Sequence, residues 1–281
     1  MKIKARAKIN LTLDVMGTRS DGYHEILTIM QALELHDKLE VETNPDGLIE
    51  VECSHPDVPS GKENLVFKAA DILRKEYGCS MGAKISIRKH IPVAAGLAGG
   101  SADAAAVLKA LNRLWDLNAS ESELQKVGEK IGSDIPFCIT GGTALARGRG
   151  ELLTPLPSFS DIGVVVVKPP FSVSTAKVYS MIDNFPGNSG PDLREVVQAI
   201  ENRDYKAVAG MMNNALERVT TYLHPEILEI KEALIGAGAA GSLMSGSGPA
   251  VFGLCRDPEE ALIVASRLDL PDCRIIANFT V

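Results

Sequence analysis

The chain has 281 residues, of which 45% are hydrophobic and 23% charged, and its formal net charge is −7. This composition is typical of a globular protein and excludes a disordered one, and the length favours two domains. The negative charge argues against a nucleic-acid-binding surface as the main function. A small charged substrate would instead need locally placed lysine or arginine.

The five cysteines are an odd number and include no Cys-x-x-Cys pair, which indicates a reducing compartment and not a disulfide frame or structural zinc site. The N-terminus turns polar within a few residues, so it lacks the apolar region of a signal peptide. The longest strongly apolar stretch, Ile162 to Val167, is too short to cross a bilayer. We therefore expect a cytoplasmic protein with neither a membrane nor a nucleic-acid partner.

The first third of the chain reads as strands joined by turns, followed by a helix. Asp21-Gly22 and Pro45 to Gly47 carry turn signals. The predicted elements are strands within Ile3 to Val15, Leu39 to Glu42 and Leu48 to Cys53, and a helix over Asn64 to Tyr77.

A strand, a small-residue loop and a helix then follow in order. Lys84 to Lys89 alternates like a half-buried strand, and Ala102 to Trp115 has helical spacing. Between them we expect the glycines at 96, 99 and 100 to take positive φ and Ser101 to be the helix N-cap. Free N–H groups and the helix dipole would then face one anion, so this loop is predicted to bind phosphate.

Tight packing of the helix on a sheet is the alternative explanation for this loop. The loop is not a Walker A sequence, because no Gly-Lys-Ser/Thr follows at the required spacing. It also lacks the Gly-x-Gly-x-x-Gly pattern and later acidic residue of a dinucleotide fold. A different class of phosphate-binding fold is therefore indicated.

Proline and serine between Thr154 and Asp161 suggest a boundary, so we predict domains at residues 1–155 and 156–281. Before it, Ser120 to Glu123 is a capping box that opens a helix ending near Gly132, and Gly141 to Ala146 is a strand. The second half reads as α+β. Its predicted elements are strands at Ile162 to Lys168, within Ser242 to Leu254 and at Arg274 to Phe279, and helices at Thr175 to Ile182, Asp192 to Glu201, Tyr205 to Leu216, Pro225 to Ala237 and Pro258 to Leu268.

A second glycine-rich element, Met244 to Val251, lies between two β-prone runs. It is either a plain hairpin turn or a loop whose small donors line a ligand cleft, and the residues alone leave both open.

Three segments in fixed order, Ala7 to Leu13, Pro92 to Leu108 and Ser245 to Val251, resemble the signature motifs of the GHMP kinases. With Arg19 to His24 and Gly132 to Phe137, the likeness narrows to the members that phosphorylate 4-diphosphocytidyl-2-C-methyl-D-erythritol in non-mevalonate isoprenoid synthesis. The resemblance implies an α+β, two-domain fold whose N-terminal domain is like ribosomal protein S5 domain 2. It also implies that the N-terminal half holds ATP, that the active site lies in the cleft between the domains, and that the acceptor is the 2-hydroxyl.

The resemblance assigns catalysis to two charged residues. Asp134 would accept the proton of the substrate hydroxyl, and Lys8 would orient Asp134 and neutralise charge near the γ-phosphate. Without the resemblance, Asp134 reads as a helix-terminal aspartate and Lys8 as a solvated strand lysine. The predicted ATP-binding residues are Pro92, Val93, Ala94, Ala95, Gly96, Leu97, Ala98, Gly99, Gly100, Ser101 and Ala102, with Asn64 on the adenine side. Many members have glycine or serine at Ala94, Ala98 and Ala102, and Asn64 reads equally well as a helix N-cap.

By the same resemblance, Tyr23 and His24 would recognise cytidine, Tyr179 would close the other face of the base, and Asn10 would hold the sugar end. The predicted substrate-binding set is Asn10, Tyr23, His24, Tyr179, Ser245, Gly246, Ser247 and Gly248. ATP is the expected phosphoryl donor, and Mg²⁺ is expected to arrive with it, since no clustered carboxylates indicate a metal site within the protein. We expect a monomer or weak homodimer.

Two alternatives remain at this level. Another GHMP kinase, acting on homoserine, mevalonate or a sugar, is disfavoured by Arg19 to His24 and Gly132 to Phe137. A catalytically silent nucleotide-binding protein on the same fold is disfavoured by the retention of Lys8 and Asp134.

Overall fold

The computed structural model describes residues 1–187 and 190–281. Its helices and strands are mixed along the chain, which confirms the α+β prediction. In chain order the elements are β1 (Lys2–Thr18), β2 (His24–Asn44), β3 (Ile49–Cys53), α1 (Leu65–Glu76), β4 (Gly82–Arg88), α2 (Gly99–Leu114), α3 (Glu121–Glu129), α4 (Ile135–Thr140), β5 (Thr143–Arg147), β6 (Leu152–Pro155), β7 (Gly163–Lys168), α5 (Thr175–Met181), a 3₁₀ turn (Ile182–Asn184), α6 (Leu193–Glu201), α7 (Tyr205–Met211), β8 (Asn213–Asn214), α8 (Glu217–Leu223), α9 (Glu226–Ala237), β9 (Gly241–Met244), β10 (Val251–Cys255), α10 (Pro258–Arg267) and β11 (Arg274–Phe279).

The described residues divide into two compact units that do not follow chain order. Unit 1 is Met1–Ala7, Leu35–Val93 and Ala98–Gly141, and unit 2 is Lys8–Glu34, Ala94–Leu97 and Gly142–Val281. The strands β1 and β2 contribute residues to both units because each is long. The boundary at residues 155 and 156 therefore stays a prediction.

Unit 1 combines a sheet with four helices. Within it β4 pairs in parallel with β3 and antiparallel with the second half of β2, so that Ile85 lies opposite both Val51 and Val41. Alternate residues of β4 are buried, as expected for a sheet with one covered face. The helix α2 packs against α1 and α4, and its alanines allow close approach.

Unit 2 is built around a four-stranded antiparallel sheet in the order β11, β7, β10, β9. Residues 163–167 of β7 are fully buried, because the strand is central and α10 packs against it. A hairpin of β5 and β6 pairs with the first half of β2, and β8 pairs in parallel with Thr12 and Leu13 of β1. Among the described residues, none of the helices has the length and apolar character needed to cross a bilayer.

Most predicted elements are present, including the Ser120 capping box, whose two hydrogen bonds both form. The strand predicted at Leu39 to Glu42 is confirmed as part of the 21-residue β2, although the earlier start of that strand was not predicted. The end of the helix predicted at Tyr205 to Leu216 was wrong, because the helix ends at Met211. Asn213 and Asn214 instead pair with β1, a long-range contact that local periodicity does not reveal.

Candidate active site

The N-terminus of α2 is open toward its own loop. Its N-cap is Ala98, in the left-handed conformation, and no side chain of the described residues caps it. The helical hydrogen-bond ladder starts with the Ala102 N–H, which donates to the Ala98 carbonyl at 2.8 Å, so the N–H groups of residues 99–101 precede it. Uncapped N–H groups at the positive end of a helix dipole suit a phosphate. The expectation that Ser101 is the N-cap was wrong, because the helix begins at Gly99 and its N-cap is Ala98, three residues before Ser101.

The loop takes positive φ at Gly96 (+77°), as predicted, and also at Ala94 (+50°) and Ala98 (+56°). The same expectation was wrong for Gly99 and Gly100, which are helical. A Cβ on Gly99 would lie 3.3 Å from the Lys89 Nζ, so this glycine makes room for a buried lysine. Ala94 and Ala98 adopt a backbone conformation that favours glycine.

A buried trio of charges, Asp37, Lys89 and Asp103, holds the residues on either side of this loop. The Lys89 ammonium contacts a carboxylate oxygen of Asp37 and lies 2.7 Å from one of Asp103. The other Asp37 oxygen accepts the backbone N–H groups of His90 and Ile91, the latter at 2.8 Å. The three side chains are at most 5% exposed. The trio thereby links strand β2, the segment before the loop and the first turns of α2.

One ammonium cannot neutralise two carboxylates, and the pKa values of Asp103 and Lys89 reflect this. Burial raises the pKa of Asp103, Lys89 opposes the shift and Asp37 adds to it, so that the pKa reaches about 7. Burial lowers the pKa of Lys89, but the two carboxylates outweigh that effect and raise it overall. Lys89 therefore stays charged, and the carboxyl group of Asp103 is close to its titration point at neutral pH.

In unit 2, Lys8 lies on β1 with only 4% of its surface exposed. Its ammonium donates to the Asn10 Oδ1 at 2.7 Å, and the Asn10 Nδ2 donates to the Thr28 Oγ1 at 2.8 Å. The Lys8 N–H donates to the Leu97 carbonyl at 3.2 Å, which ties this strand to the loop segment within unit 2. The alternative of a solvated strand lysine is wrong, because the side chain is buried. The catalytic role of Lys8 stays a prediction.

In unit 1, Asp134 stands at the N-cap position of the short helix α4 and is partly exposed. Its backbone is helical, and among the described residues it makes no side-chain capping hydrogen bond. The alternative of a helix-terminal aspartate is confirmed in position, although the side chain does not cap the helix. Its catalytic role stays a prediction.

The glycine-rich element of the second half is the turn of the β9–β10 hairpin, in which Val251 lies opposite Met244. The Ser245 hydroxyl donates to the Gly96 carbonyl at 3.0 Å, and the Ala250 N–H donates to the Ala95 carbonyl at 3.2 Å. A Cβ on Gly96 would lie 2.1 Å from the Ser245 carbonyl oxygen. The two small-residue loops therefore meet backbone to backbone.

Other side chains hold this turn from unit 2. The Asn214 amide donates to the carbonyls of Met244 and Gly246 at 2.7 and 2.8 Å. The Ser247 hydroxyl lies 2.7 Å from that of Thr175. Gly246 and Gly248 take positive φ, as a turn of this kind requires. The hairpin reading is confirmed, and the ligand contacts of residues 245–248 stay predictions.

The segment Arg19 to His24 forms a tight turn before β2. The Gly22 N–H donates to the Arg19 carbonyl at 3.1 Å, and the Tyr23 N–H donates to an Asp21 carboxylate oxygen at the same distance. Tyr23 is 57% exposed, whereas the His24 ring is mostly buried. The His24 and Tyr179 rings lie 5.4 Å apart between centroids with a 35° tilt. The structure thus brings together two of the three rings predicted to recognise a base.

Asn64 is the N-cap of α1. Its Oδ1 accepts the Val66 N–H at 2.8 Å, and its Nδ2 donates to the Pro59 carbonyl at 2.6 Å. The capping interpretation is confirmed, and a contact with adenine stays a prediction.

The buried trio was not predicted from the sequence. Lys89 is separated by 52 residues from Asp37 and by 14 from Asp103, so no local motif joins them. The one signal for it in the sequence was Asp103, an acidic residue within an alanine-rich run that is typical of a buried helix. A buried carboxylate requires a charged or hydrogen-bonding partner.

Comparison with known proteins decides the family. The model of the GHMP kinases N terminal domain matches residues 64–142, and that of the GHMP kinases C terminal matches residues 196–270. The chain belongs to the GHMP kinases. It is therefore an enzyme, an ATP-dependent phosphotransferase with the two-domain fold of that family.

Curated relatives and a solved structure show which members of the family this chain resembles. A 4-diphosphocytidyl-2-C-methyl-D-erythritol kinase of Pelotomaculum thermopropionicum is 51% identical over 276 residues, covering 98% of this chain and 96% of the relative. One of Acetivibrio thermocellus is 49% identical over 263 residues, covering 94% of this chain and 93% of the relative. A crystal structure of 4-(cytidine 5'-diphospho)-2C-methyl-D-erythritol kinase superposes with a TM-score of 0.82 at 35% identity, covering 100% of this chain and 99% of that one.

Proposed function

We propose that this GHMP kinase transfers the γ-phosphoryl group of ATP to the 2-hydroxyl of 4-diphosphocytidyl-2-C-methyl-D-erythritol, giving the 2-phosphate and ADP in the non-mevalonate isoprenoid pathway. The observation that carries the proposal is the near full-length likeness to kinases with that substrate in their names. The adjacent rings of His24 and Tyr179 beside the Arg19 to His24 turn support a flat base as part of the acceptor.

On the donor side, we assign the phosphates of ATP to residues 92–102. The uncapped α2 N-terminus and the left-handed Ala98 support this assignment, because N–H groups held by a helix do not reorganise when an anion binds. The buried trio would keep the two ends of this segment in place.

On the acceptor side, Asp134 would accept the hydroxyl proton, and Lys8 would orient Asp134 and neutralise charge near the γ-phosphate. The Asn10 amide, itself held by Thr28, would fix the Lys8 ammonium. Tyr23, His24 and Tyr179 would hold the cytosine, since base–aromatic stacking contributes about 1–3 kcal/mol per base. The Ser245 hydroxyl is engaged by Gly96, so the contribution of residues 245–248 would come mainly from backbone groups and Ser247.

We further propose that Mg²⁺ arrives with ATP. Within the described part of the chain, no group of three or more His, Cys, Asp or Glu side chains is arranged to hold a metal ion. We therefore assign its ligands mainly to phosphate oxygens and water, where it would neutralise charge on the phosphates. A monomeric or weakly dimeric state and a cytoplasmic location stay predictions.

Turnover of the purified protein with ATP and Mg²⁺ tests the acceptor, with 4-diphosphocytidyl-2-C-methyl-D-erythritol compared against homoserine and mevalonate by ADP release. We expect turnover only with the cytidine compound. Faster turnover of either other alcohol would assign the enzyme to a different GHMP kinase, and ATP binding without any turnover would indicate a silent nucleotide-binding protein.

Two variants test the catalytic pair. Asp134→Asn and Lys8→Met should each lower kcat by about 10²–10⁴-fold, because each removes a proton acceptor or a positioned charge. Lys4→Met, an exposed lysine on the same strand, is the matched control and should keep wild-type kcat. Near-normal kcat in a folded Asp134→Asn or Lys8→Met protein would remove that residue from the mechanism.

A further inference from the structure

The hairpin turn between β5 and β6 places a cation on the ring of Tyr23. The guanidinium carbon of Arg149 lies 5.1 Å from the centroid of this ring. A cation within about 6 Å of an aromatic face is attracted by the ring, and arginine can also stack on it. One face of Tyr23 is thereby covered, while the side chain as a whole is still exposed enough for a ligand to reach it.

The turn that carries Arg149 is held by a specific side chain. One carboxylate oxygen of Glu25 accepts the Gly148 N–H at 3.0 Å, and the other accepts from the Arg19 guanidinium at 2.7 Å. The Ile26 N–H donates to the Gly148 carbonyl at 2.8 Å. Glu25 thus joins the β5–β6 turn to the Arg19 to His24 turn.

The Arg149 backbone is also fixed, because its N–H donates to a Glu151 carboxylate oxygen at 2.6 Å. Arg149 in turn helps to lower the pKa of Asp21, after the larger effects of the Tyr23 N–H and the Arg19 guanidinium. The cation therefore belongs to an organised group of side chains that surrounds Tyr23.

We propose that Arg149 is a positioning residue for base recognition: it covers one face of Tyr23 and so presents the opposite face to the pyrimidine of the substrate. The proposal rests on the proposed function, in which Tyr23 stacks on cytosine. An exposed tyrosine must lose rotational freedom when it binds a base, and a ring already held by Arg149 loses less.

Arg149→Met tests this, because methionine keeps an unbranched stem and removes the charge. We expect the KM for 4-diphosphocytidyl-2-C-methyl-D-erythritol to rise about fivefold with kcat within about twofold, and the Kd of CDP, measured by calorimetry, to rise by a similar factor. Arg149→Lys should recover most of the loss, because an ammonium also binds the ring face. Arg147→Met, an exposed arginine in the same hairpin, should leave both constants unchanged.

A double variant separates positioning from a general structural effect. In a Tyr23→Leu background the ring is absent, so Arg149→Met should raise KM and the Kd of CDP no further. Unchanged constants in Arg149→Met, or an equal rise with and without Tyr23, would overturn the proposal. If Arg149→Met does not fold, Arg149→Gln gives the same comparison. Failure of the proposed function is distinguishable, since the wild-type protein would then neither bind CDP nor turn over the cytidine substrate.

Discussion

The molecule has two clusters that each consist of one cation and two carboxylates, one buried and one exposed. The pKa of an aspartate is raised in the buried cluster and lowered in the exposed one. In the buried trio, Lys89 lies between Asp37 and Asp103, all at most 5% exposed. In the exposed trio, formed by Arg19, Asp21 and Glu25, the side chains are 34–44% exposed. Burial raises the pKa of Asp103 to about 7, whereas the Tyr23 N–H and the Arg19 guanidinium lower that of Asp21.

The difference follows from solvent. Water stabilises both carboxylates of the exposed trio, so its cation adds little, while the buried trio must balance its charges internally. The buried trio therefore fixes backbone next to the predicted phosphate loop, and the exposed trio holds the accessible turn that is predicted to bind the substrate. The same combination of one cation and two carboxylates therefore has a different effect in each unit.

The largest expected effect is on the free energy of unfolding of Lys89→Met. Removing the only cation of the buried trio leaves two buried carboxyl groups without their ion pair, which costs about 3–5 kcal/mol. Urea unfolding monitored by circular dichroism measures it. Arg19→Met is the matched variant in the exposed trio and should shift the midpoint far less. Equal losses in the two variants would mean that burial does not distinguish the trios.

The next effect is a pH dependence. Asp103 has a folded pKa of about 7 against an ordinary 3.8, so folding takes up a proton between these values. Its contribution to stability is therefore largest at low pH and falls as the pH rises through this window. Asp103→Asn should flatten the dependence of unfolding free energy on pH from about 4 to 7.

Asp21 is a control, because its pKa shift has the opposite sign to that of Asp103. Its pKa is lowered, first by the Tyr23 N–H, so its contribution is present above its ordinary pKa and lost as the pH falls. Asp21→Asn should thus reduce stability slightly at neutral pH and not in acid. Parallel pH curves for the wild-type and Asp103→Asn proteins would contradict the assignment of the slope to Asp103.

The smallest effect concerns salt. At about 1 M salt the screening length is about 3 Å, so the small loss of stability in Arg19→Met should disappear, whereas that in Lys89→Met should persist. Thermal unfolding at low and high ionic strength checks this. A loss in Lys89→Met that salt abolishes would indicate that water reaches the buried trio.

Much of the fold could be predicted, because hydrophobic and polar residues alternate with a regular period in every element that has one buried face. The strand β2 shows the limit: it alternates from Leu39 to Glu42, where the prediction placed a strand, but residues 28–33 are buried on both faces and have no period. The Asn213–Asn214 pairing and the buried trio depend on contacts distant in sequence, which local patterns do not encode.

The residues of the candidate site likewise differ in whether a local sequence pattern indicates them. The predicted phosphate loop lies in a contiguous strand, loop and helix, so this order of elements was predictable, although the helix start was misplaced because alanine adopts the left-handed conformation at Ala98. The functions of Lys8 and Asp134 came from a resemblance, since neither has a local signature. Arg149 had no signal at all, because its partner Tyr23 lies in a distant turn.

Phosphorus NMR of the purified enzyme with ATP, Mg²⁺ and 4-diphosphocytidyl-2-C-methyl-D-erythritol decides whether the acceptor hydroxyl is phosphorylated. We expect one new phosphomonoester signal in equal amount to ADP, with the cytidine diphosphate linkage intact, and its loss in Asp134→Asn. ADP formed without that signal, or an unchanged signal in Asp134→Asn, would contradict the proposed reaction or the proposed base.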